Sequence, residues 1–243
     1  MKRVEKVVTN FQTLEIWKSR RECEFRVEGA VHAWFHRDRY LTGLAWDLIA
    51  AGALLGKEKP RSILMLGLAG GSSMRILRHL LPDCLMCAVD IDGAVVDLAR
   101  RHMELDALGI EVIVDDAYRW LARNRRKFDV VIDDIYLAGH SDVFRPCSPV
   151  EDKLLGLLKR AISAEGVLAV NLVIGAGHRN MQSQTRAKLR GSFPMVRSIR
   201  SPHALNEVLV AASQVATLSR LRTVQFSHAS DRIYWSQLTQ RLI

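Results

Sequence analysis

The sequence lacks the features that mark membrane-spanning and secreted proteins. Its 243 residues contain no apolar run of the roughly 18 residues that a membrane span requires. The opening stretch, MKRVEKVVTNFQ, has no apolar core of the kind found in signal peptides. Neither an internal repeat nor a low-complexity linker interrupts the chain. We therefore expect a globular, cytoplasmic protein that does not associate with membranes.

Cysteine is also scarce, with four residues in the chain. Cys84 and Cys87 form a C-x-x-C pair, a spacing that occurs in zinc and redox sites. No second pair of Cys or His residues follows at ligand spacing, and a zinc site needs more ligands than this pair supplies. We therefore predict buried, reduced thiols and no metal site.

Acidic residues are outnumbered, since 35 Lys and Arg residues stand against 26 Asp and Glu residues and leave a net charge of +9. Aromatic residues make up 7% of the chain and do not alternate with the basic clusters, and no RNA-binding signature occurs. A solvated basic surface is the favoured explanation, and an anionic small-molecule substrate would use the same charge. A nucleic-acid partner stays open.

The most informative segment runs from Ile63 to Tyr136, where predicted strands alternate with helices and end in glycine or acidic residues. It contains, in order, ILMLGLAGGS, LMCAVDID, IEVIVDDAYRWL and FDVVIDDIY. Such an order builds a parallel sheet, and open parallel sheets bind ligands beyond the carboxyl ends of their strands, where the strand order reverses. The segment therefore predicts a nucleoside-binding edge.

The glycine turn after the first of these strands is expected to supply backbone to the ligand. Glycine allows close approach and positive φ, as Gly67, Gly70 and Gly71 would here. Ser72 is expected to be the N-cap of the next helix. Asp90 follows about twenty residues later, where a carboxylate can accept hydrogen bonds from ribose hydroxyls. Because the turn departs from G-x-G-x-x-G, a nucleoside without a diphosphate fits better than a dinucleotide.

The other acids have structural as well as functional explanations. Asp92 is expected to cap a helix, and Asp115 and Asp116 can cap the following one. Asp133 and Asp134 are harder to explain in this way, because they end the buried run VVID together. Burying two adjacent acids without partners would be costly, so we place both at the predicted site.

The chain is predicted to divide into an N-terminal β-hairpin region, residues 1–38, and a Rossmann-like domain, residues 39–243. The first contains the strand-like segments LEIW, CEFRV and AVHAWF, with a turn at Glu28-Gly29. In the second, a helix is predicted over Arg39–Leu55, and MVRSIRS and EVLVAAS are two late strands. The tail, Gln214–Ile243, is predicted as mixed helix and loop.

The segment from about Leu14 to Ser213 resembles the spermidine synthase (polyamine aminopropyltransferase) family and its relatives in the class I S-adenosylmethionine-dependent methyltransferase fold. The resemblance lies in VEGAVHAWF, similar to the family's LDGxxQ segment, in the glycine turn, in the acid-bearing second strand, and in VDDA and FDVVIDD. It implies an α/β fold with a seven-stranded, mostly parallel sheet and helices on both faces. An adenosyl-sulfonium cofactor and a homodimer formed through the N-terminal hairpin are further implications.

By position, the resemblance implies that Asp90 binds the ribose, that Asp116 and Ala117 flank the adenine, and that Asp134 is the family's first acid after strand four. The candidate cofactor-binding residues are Gly67, Ala69, Gly70, Gly71, Asp90, Ile91, Asp116, Ala117 and Asp133. The candidate catalytic residues are Asp134, as a base, and Tyr136, with His140 as a further helper. We expect the hairpin and the loop up to Pro149 to wall the acceptor pocket.

Two departures from the family concern its carboxylates. The family's turn, G-G-G-D-G-G, has an acid where this chain has Gly70, and its D-x-x-D-P has a second acid where this chain has Leu137. The resemblance implies that these acids hold amines. We therefore predict a methyltransferase that uses S-adenosylmethionine and a small-molecule acceptor. The alternatives are an aminopropyltransferase that uses decarboxylated S-adenosylmethionine and a non-catalytic binding or assembly module.

Overall fold

A computed structural model describes residues 1–138, 143–144, 152–224, 226 and 229–243 of the chain. The predictions made for His140 and for most of the loop up to Pro149 lie outside these residues. Cys147 lies outside them as well.

The N-terminal region forms an antiparallel sheet of four strands in chain order: β1 (Lys2–Val8), β2 (Thr13–Lys18), β3 (Glu22–Val27) and β4 (Ala30–His36). Strands β2 to β4 are those predicted from the sequence, whereas β1 was not anticipated. The predicted turn joins β3 to β4, and Glu28 and Gly29 have φ values of 47° and 85°. Two consecutive positive φ values are those of a two-residue hairpin turn that matches the strand twist.

The rest of the chain alternates helices with strands, and short 3₁₀ turns occur at Asp106–Leu108, Ala176–His178 and Leu218–Thr223. The elements are α1 (Ala45–Ala53), β5 (Ser62–Leu66), α2 (Ser72–Leu80), β6 (Leu85–Asp90), α3 (Gly93–His102), β7 (Glu111–Val114), α4 (Ala117–Arg123), β8 (Phe128–Asp133), β9 (Leu137–Ala138), β10 (Val143–Phe144), α5 (Asp152–Ala161), β11 (Ile162–Val173), α6 (Arg179–Ser192), β12 (Met195–Arg200), β13 (Asn206–Ala212), α7 (Ala229–Ser236) and β14 (Thr239–Leu242).

Within the described residues the main sheet has eight strands, in the order β14-β12-β13-β11-β8-β5-β6-β7. The five strands from β11 to β7 are parallel, and β13, β12 and β14 are antiparallel to their neighbours. The predicted Rossmann-like α/β architecture is therefore confirmed. The sheet exceeds the seven strands implied by the resemblance because the tail adds β14 to the edge strand β12.

Helices cover both faces of the main sheet, and strand β5 shows why its sequence is an unbroken apolar run. Ile63 and Met65 belong to the core that contains α1 and α2, whereas Leu64 and Leu66 belong to the core that contains α4 and α5. A central parallel strand is buried on both faces, so both sets of alternating side chains must be apolar. The chain reverses its strand order beside β5, between β6 and β8.

Two helices differ from their predictions. Helix α1 begins at Ala45 rather than at Arg39, because the preceding loop wraps around the buried carboxylate of Asp47. Thr42 N, Thr42 Oγ1 and Gly43 N each donate a hydrogen bond of 2.8 Å to Asp47. Helix α6 was not predicted, because its sequence, RNMQSQTRAKLRGS, has no regular apolar spacing.

The N-terminal sheet contacts the main domain through its apolar face and through polar contacts that include the Ser72 hydroxyl. Its inner side chains, Phe25 among them, share a core with Val95 and Leu98 of α3. The Ser72 hydroxyl donates to Trp34 O and accepts from Trp34 N, both at 2.8 Å. The prediction that Ser72 caps α2 is therefore wrong: Gly71, with φ 79°, occupies the N-cap, and Ser72 binds the open edge of β4 instead.

Two observations on the described residues concern the membrane spans and the cysteines considered above. None of their helices combines the length and the apolarity that crossing a bilayer requires. Cys84 and Cys87 are buried free thiols, and burial raises the pKa of each to about 11. Both cysteines therefore stay protonated at neutral pH and pack as small apolar side chains.

The link between the N-terminal sheet and α2 predicts unequal effects for two neighbouring serines. Ser72→Ala leaves the N–H and C=O groups of Trp34 without the hydroxyl, so we expect a loss of about 1–3 kcal/mol in the free energy of unfolding. Ser73 is the matched control, since its buried Oγ has no hydrogen-bond partner among the described residues. We expect Ser73→Ala to stay within about 0.5 kcal/mol of wild type in urea titrations. Equal losses in the two variants would contradict the link.

Asp47 gives the fold a pH dependence. Burial raises the pKa of Asp47 to about 6, against the lowering effect of the hydrogen bonds from Thr42 and Gly43. The folded state therefore binds this proton more tightly than the unfolded chain, so the contribution of Asp47 to stability rises as the pH falls from about 6 to about 4. Between about pH 7 and pH 4, wild type should gain roughly 2 kcal/mol relative to Asp47→Asn. Parallel pH profiles in urea titrations would show that this carboxylate does not titrate as described.

Candidate functional site

A cavity of about 660 Å³ lies beyond the carboxyl ends of β5, β6 and β8. The N-terminal sheet contributes Phe25, Val27 and His32 to its wall, and the loop before β13 contributes Leu205. Eight of the residues predicted from the sequence line the cavity: Gly67, Ala69, Asp90, Ile91, Asp116, Ala117, Asp134 and Tyr136. Gly70, Gly71 and Asp133 do not line it.

The glycine turn brings backbone, rather than side chains, to the cavity. A Cβ on Gly67, whose φ is 85°, would collide with the carbonyl oxygen of Asp134 and lie 2.9 Å from its carbonyl carbon. Ala69 also has a positive φ, 46°, which is uncommon for a residue with a Cβ. Only glycine fits at position 67, since both the backbone conformation and the close approach exclude a side chain.

Asp90 holds this turn in place. Its Oδ2 accepts hydrogen bonds from Leu68 N at 2.9 Å and Ala69 N at 3.1 Å, and its Oδ1 accepts one from Asp92 N at 3.0 Å. Burial raises the pKa of Asp90, although these three donors favour the ionised form. A carboxylate has about four lone-pair sites, so one or more remain for a ligand in the cavity.

The acids that follow β6 and β7 have separate roles. Asp116 caps α4, because its Oδ1 accepts a hydrogen bond from Arg119 N at 2.8 Å, and it also lines the cavity. Asp115 forms ion pairs with Arg119 and Arg123, and the hydrogen bond from Arg119 lowers the pKa of Asp115. Asp92 caps α3 as predicted, with Ala94 N as its donor at 3.0 Å. Only Asp116 among these acids faces the cavity.

Gly70 lies in a packed environment outside the cavity. A Cβ at this position would lie 2.6 Å from the Cβ of Ala33 and would collide with the sulfur of Met103. The position is therefore filled on its outer side by β4 and by the residue after α3. An aspartate at this turn position would not fit without movement of Met103 or of the N-terminal sheet.

Asp134 belongs to a chain of polar side chains that crosses the ends of three strands. Its Oδ1 accepts a hydrogen bond from Asn171 Nδ2 at 2.7 Å, and Asn171 Oδ1 accepts one from Asn206 Nδ2 at 3.1 Å. Tyr136 lines the cavity, but its hydroxyl donates to Asn171 O and accepts from Val173 N. The Tyr136 hydroxyl therefore also fixes the end of β11.

Several polar residues of this cavity were not predicted from the sequence, among them Asn171, Asn206 and His32. Asn171 and Asn206 come from β11 and β13, and the signal for Asn171 was a polar residue within the apolar run VLAVNLV. His32 lies in the VEGAVHAWF segment, and burial lowers the pKa of His32 to about 4. His32 is therefore neutral near pH 7 and can accept or donate a hydrogen bond there.

The charge of the cavity is one-sided. Among the described residues that line it, Asp90, Asp116 and Asp134 are acids and none is Lys or Arg. Most of the remaining lining residues are apolar, including Val27, Trp46 and Leu137. Carboxylates in a low-dielectric cavity favour a cationic ligand, so this arrangement suits a nucleoside that carries a positive charge.

Comparisons with curated proteins point to two kinds of transferase. The chain is 29% identical over 136 residues to a probable polyamine aminopropyl transferase of Bifidobacterium longum, covering 56% of this chain and 29% of that protein. It is 28% identical over 165 residues to an eEF1A lysine and N-terminal methyltransferase homolog of Drosophila pseudoobscura pseudoobscura, covering 65% of this chain and 24% of that protein. The matches thus span less than a third of either relative.

Solved structures share the fold at lower identity. Spermidine synthase from Thermotoga maritima is 12% identical, with a TM-score of 0.72 over 97% of this chain and 83% of that chain. Human methyltransferase-like protein 13 in complex with SAH is 24% identical, with a TM-score of 0.61 over 78% of this chain and 90% of that chain. A family model for the spermine/spermidine synthase domain matches residues 46–197, more than half of the chain, and the protein therefore belongs to that family.

Proposed function

We propose that this protein is a transferase that moves the methyl group of S-adenosylmethionine to a small-molecule acceptor. The observation that carries the proposal is the position of Leu137 on the cavity wall, where the family has its second acid. The alternative is aminopropyl transfer from decarboxylated S-adenosylmethionine. Relatives named for each activity make both reactions compatible with the family.

The adenosyl part of the donor is proposed to bind at the switch point of the sheet. Asp90 would accept hydrogen bonds from the ribose hydroxyls, and Asp116 and Ala117 would flank the adenine. The carboxylates of the cavity favour a sulfonium, which is positively charged. Gly67 and Ala69 provide a backbone surface over which a bulky nucleoside can lie.

The glycine turn favours the carboxylated donor because it has no acid at position 70 that would repel the donor's carboxylate. Position 70 has no side chain, and Ala33 and Met103 occupy the space that one would need. The backbone N–H groups at the start of α2 are not placed to receive the donor carboxylate, because Ser72 and Ser73 do not line the cavity. The donor carboxylate would therefore meet other backbone N–H groups or solvent.

The acceptor is proposed to be less cationic than a polyamine. Leu137, Trp46 and Val173 give this part of the cavity apolar walls. A second ammonium on the acceptor would find no partner at Leu137 to offset its desolvation. Asp134 remains as the nearest acid of the family pattern, and Asn171 fixes its orientation.

Methyl transfer is an in-line displacement that depends mainly on positioning. The sulfonium donor supplies an activated methyl group, so the protein has to align the acceptor atom and, where needed, remove its proton. Asp134 is the proposed base, since it lines the cavity and the hydrogen bond from Asn171 Nδ2 to its Oδ1 orients the carboxylate. His32, neutral near pH 7, also lines the cavity and is available for a hydrogen bond.

The ribose contact predicts the effect of an isosteric change. Asp90→Asn should weaken binding of S-adenosylhomocysteine by about 1.5–3 kcal/mol, because a hydrogen bond to a charged acceptor is lost. Isothermal titration calorimetry measures this difference, and circular dichroism checks that the turn held by Asp90 remains folded. Asp115→Asn is the matched control, since Asp115 follows the neighbouring strand but pairs with Arg119 and Arg123. Unchanged affinity in a folded Asp90→Asn variant removes Asp90 from the donor site.

Two measurements test which group is transferred: the relative affinity for the two donors, and the effect of introducing an acid at position 137. Wild type should bind S-adenosylmethionine more tightly than its decarboxylated form in calorimetric titrations. Leu137→Asp should raise the affinity for putrescine by about fivefold, corresponding to about 1 kcal/mol for a partly exposed ion pair. Leu137→Asn, of the same size but uncharged, should not.

Two outcomes would contradict the proposal in different ways. Tighter binding of the decarboxylated donor, with aminopropyl transfer to an amine, establishes the alternative reaction. No binding of either donor or of S-adenosylhomocysteine indicates a non-catalytic member of the family.

A further inference from the structure

The net positive charge of the chain is concentrated in its last third, because acidic residues are scarce there. The segment Ile174–Ile243 contains ten Lys and Arg residues and two acids, so it holds eight of the nine net positive charges. Both acids, Glu207 and Asp231, are about 1% exposed. The surface formed by this segment is therefore basic, with no exposed carboxylate side chain.

Helix α6 presents three arginines along one line. Arg179, Arg186 and Arg190 are spaced by seven and four residues, and with 3.6 residues per turn these spacings return to the same side of a helix. Arg186 contacts the buried carboxylate of Glu207 on β13. The line of arginines therefore runs beside the sheet edge formed by β13, β12 and β14.

Two further arginines on the sheet extend this line. Arg200 lies 3.5 Å from Glu207 Oε1, and the Ser198 hydroxyl binds the same carboxylate. Arg241 on β14 is the cross-strand partner of Ser198, and directly paired residues project from the same face of a sheet. Arg179, Arg186, Arg190, Arg200 and Arg241 thus form one surface, which we call the arginine face.

We propose that the arginine face binds a nucleic-acid strand through its phosphates. Nine of the ten basic residues in this part of the chain are arginines, whose planar guanidinium groups bind phosphates in bidentate fashion. Arg179, Arg190 and Arg241 are exposed and have no hydrogen-bond or ion-pair partner among the described residues. Glu207 neutralises one charge of the face, and four remain for an anion.

One end of the arginine face lies next in the chain to residues of the cavity wall. Glu207, which binds Arg186 and Arg200, directly follows Asn206, and both Asn206 and Leu205 line the cavity. A nucleic-acid strand bound along α6 and the end of β12 would therefore lie close to the site. This inference depends on charge and position and does not require that the transferred group be methyl.

The test compares two triple variants with equal changes in net charge. Arg179→Glu, Arg190→Glu and Arg241→Glu together reverse three exposed charges of the arginine face and leave the pairs with Glu207 intact. Arg20→Glu, Arg37→Glu and Arg125→Glu reverse three exposed side chains elsewhere that also have no described partner. The probe is a fluorescein-labelled, single-stranded RNA of about 20 nucleotides. Its binding is measured by fluorescence anisotropy over a series of salt concentrations.

The first variant should lower the affinity about tenfold or more and reduce the slope of log K against log salt by about 2, at roughly 0.7 per phosphate contact. The second variant changes the net charge by the same amount, and its affinity for the RNA should stay within about twofold of that of wild type. Equal losses in both variants, or no binding by wild type, overturn the proposal. Binding of wild type to phosphatidylserine vesicles but not to RNA assigns the face to a membrane instead. Calorimetric binding of S-adenosylhomocysteine should be unchanged in both variants, which keeps this test separate from that of the reaction.

Discussion

The contact between the backbone of Gly67 and that of Asp134 is the constraint on which the candidate site depends. Gly67 N donates to Val89 O at 2.9 Å, and Asp134 N donates to Leu66 O at 2.9 Å, so the turn after β5 is fixed to both neighbouring strands. A side chain at position 67 would separate these strand ends. The position of Asp134, and hence of its partner Asn171, follows from the absence of that side chain.

The N-terminal sheet completes the site rather than standing apart from it. Its strand β4 touches the glycine turn through Ala33 and touches α2 through Trp34, and the same strand carries His32 into the cavity wall. A ligand at the switch point of the main sheet would therefore contact two sheets. Gly70 does not line the cavity, and Ala33 of β4 covers that side of the turn.

The features that could be predicted from the sequence are those set by local pattern. Glycine and acids at strand ends marked the switch point, and the Glu28-Gly29 pair marked the hairpin. The features that could not be predicted depend on partners far along the chain. Ser72 has the sequence of an N-cap, but a strand 38 residues away uses its hydroxyl. Helix α6 and strand β14 are stabilised by tertiary packing, and neither has a periodic apolar pattern from which it could be predicted.

The packing around Gly70 restricts how the chain could evolve. An acid at this position, as in the aminopropyltransferases that the chain resembles, would need space that Ala33 and Met103 fill. Shortening a buried methionine first would typically cost about 2–5 kcal/mol, a large share of the stability of a domain. A single substitution at either Gly70 or Met103 is therefore expected to destabilise the fold. Gly70, Ala33 and Met103 would have to change together, so the present packing opposes the evolution of an acid at position 70.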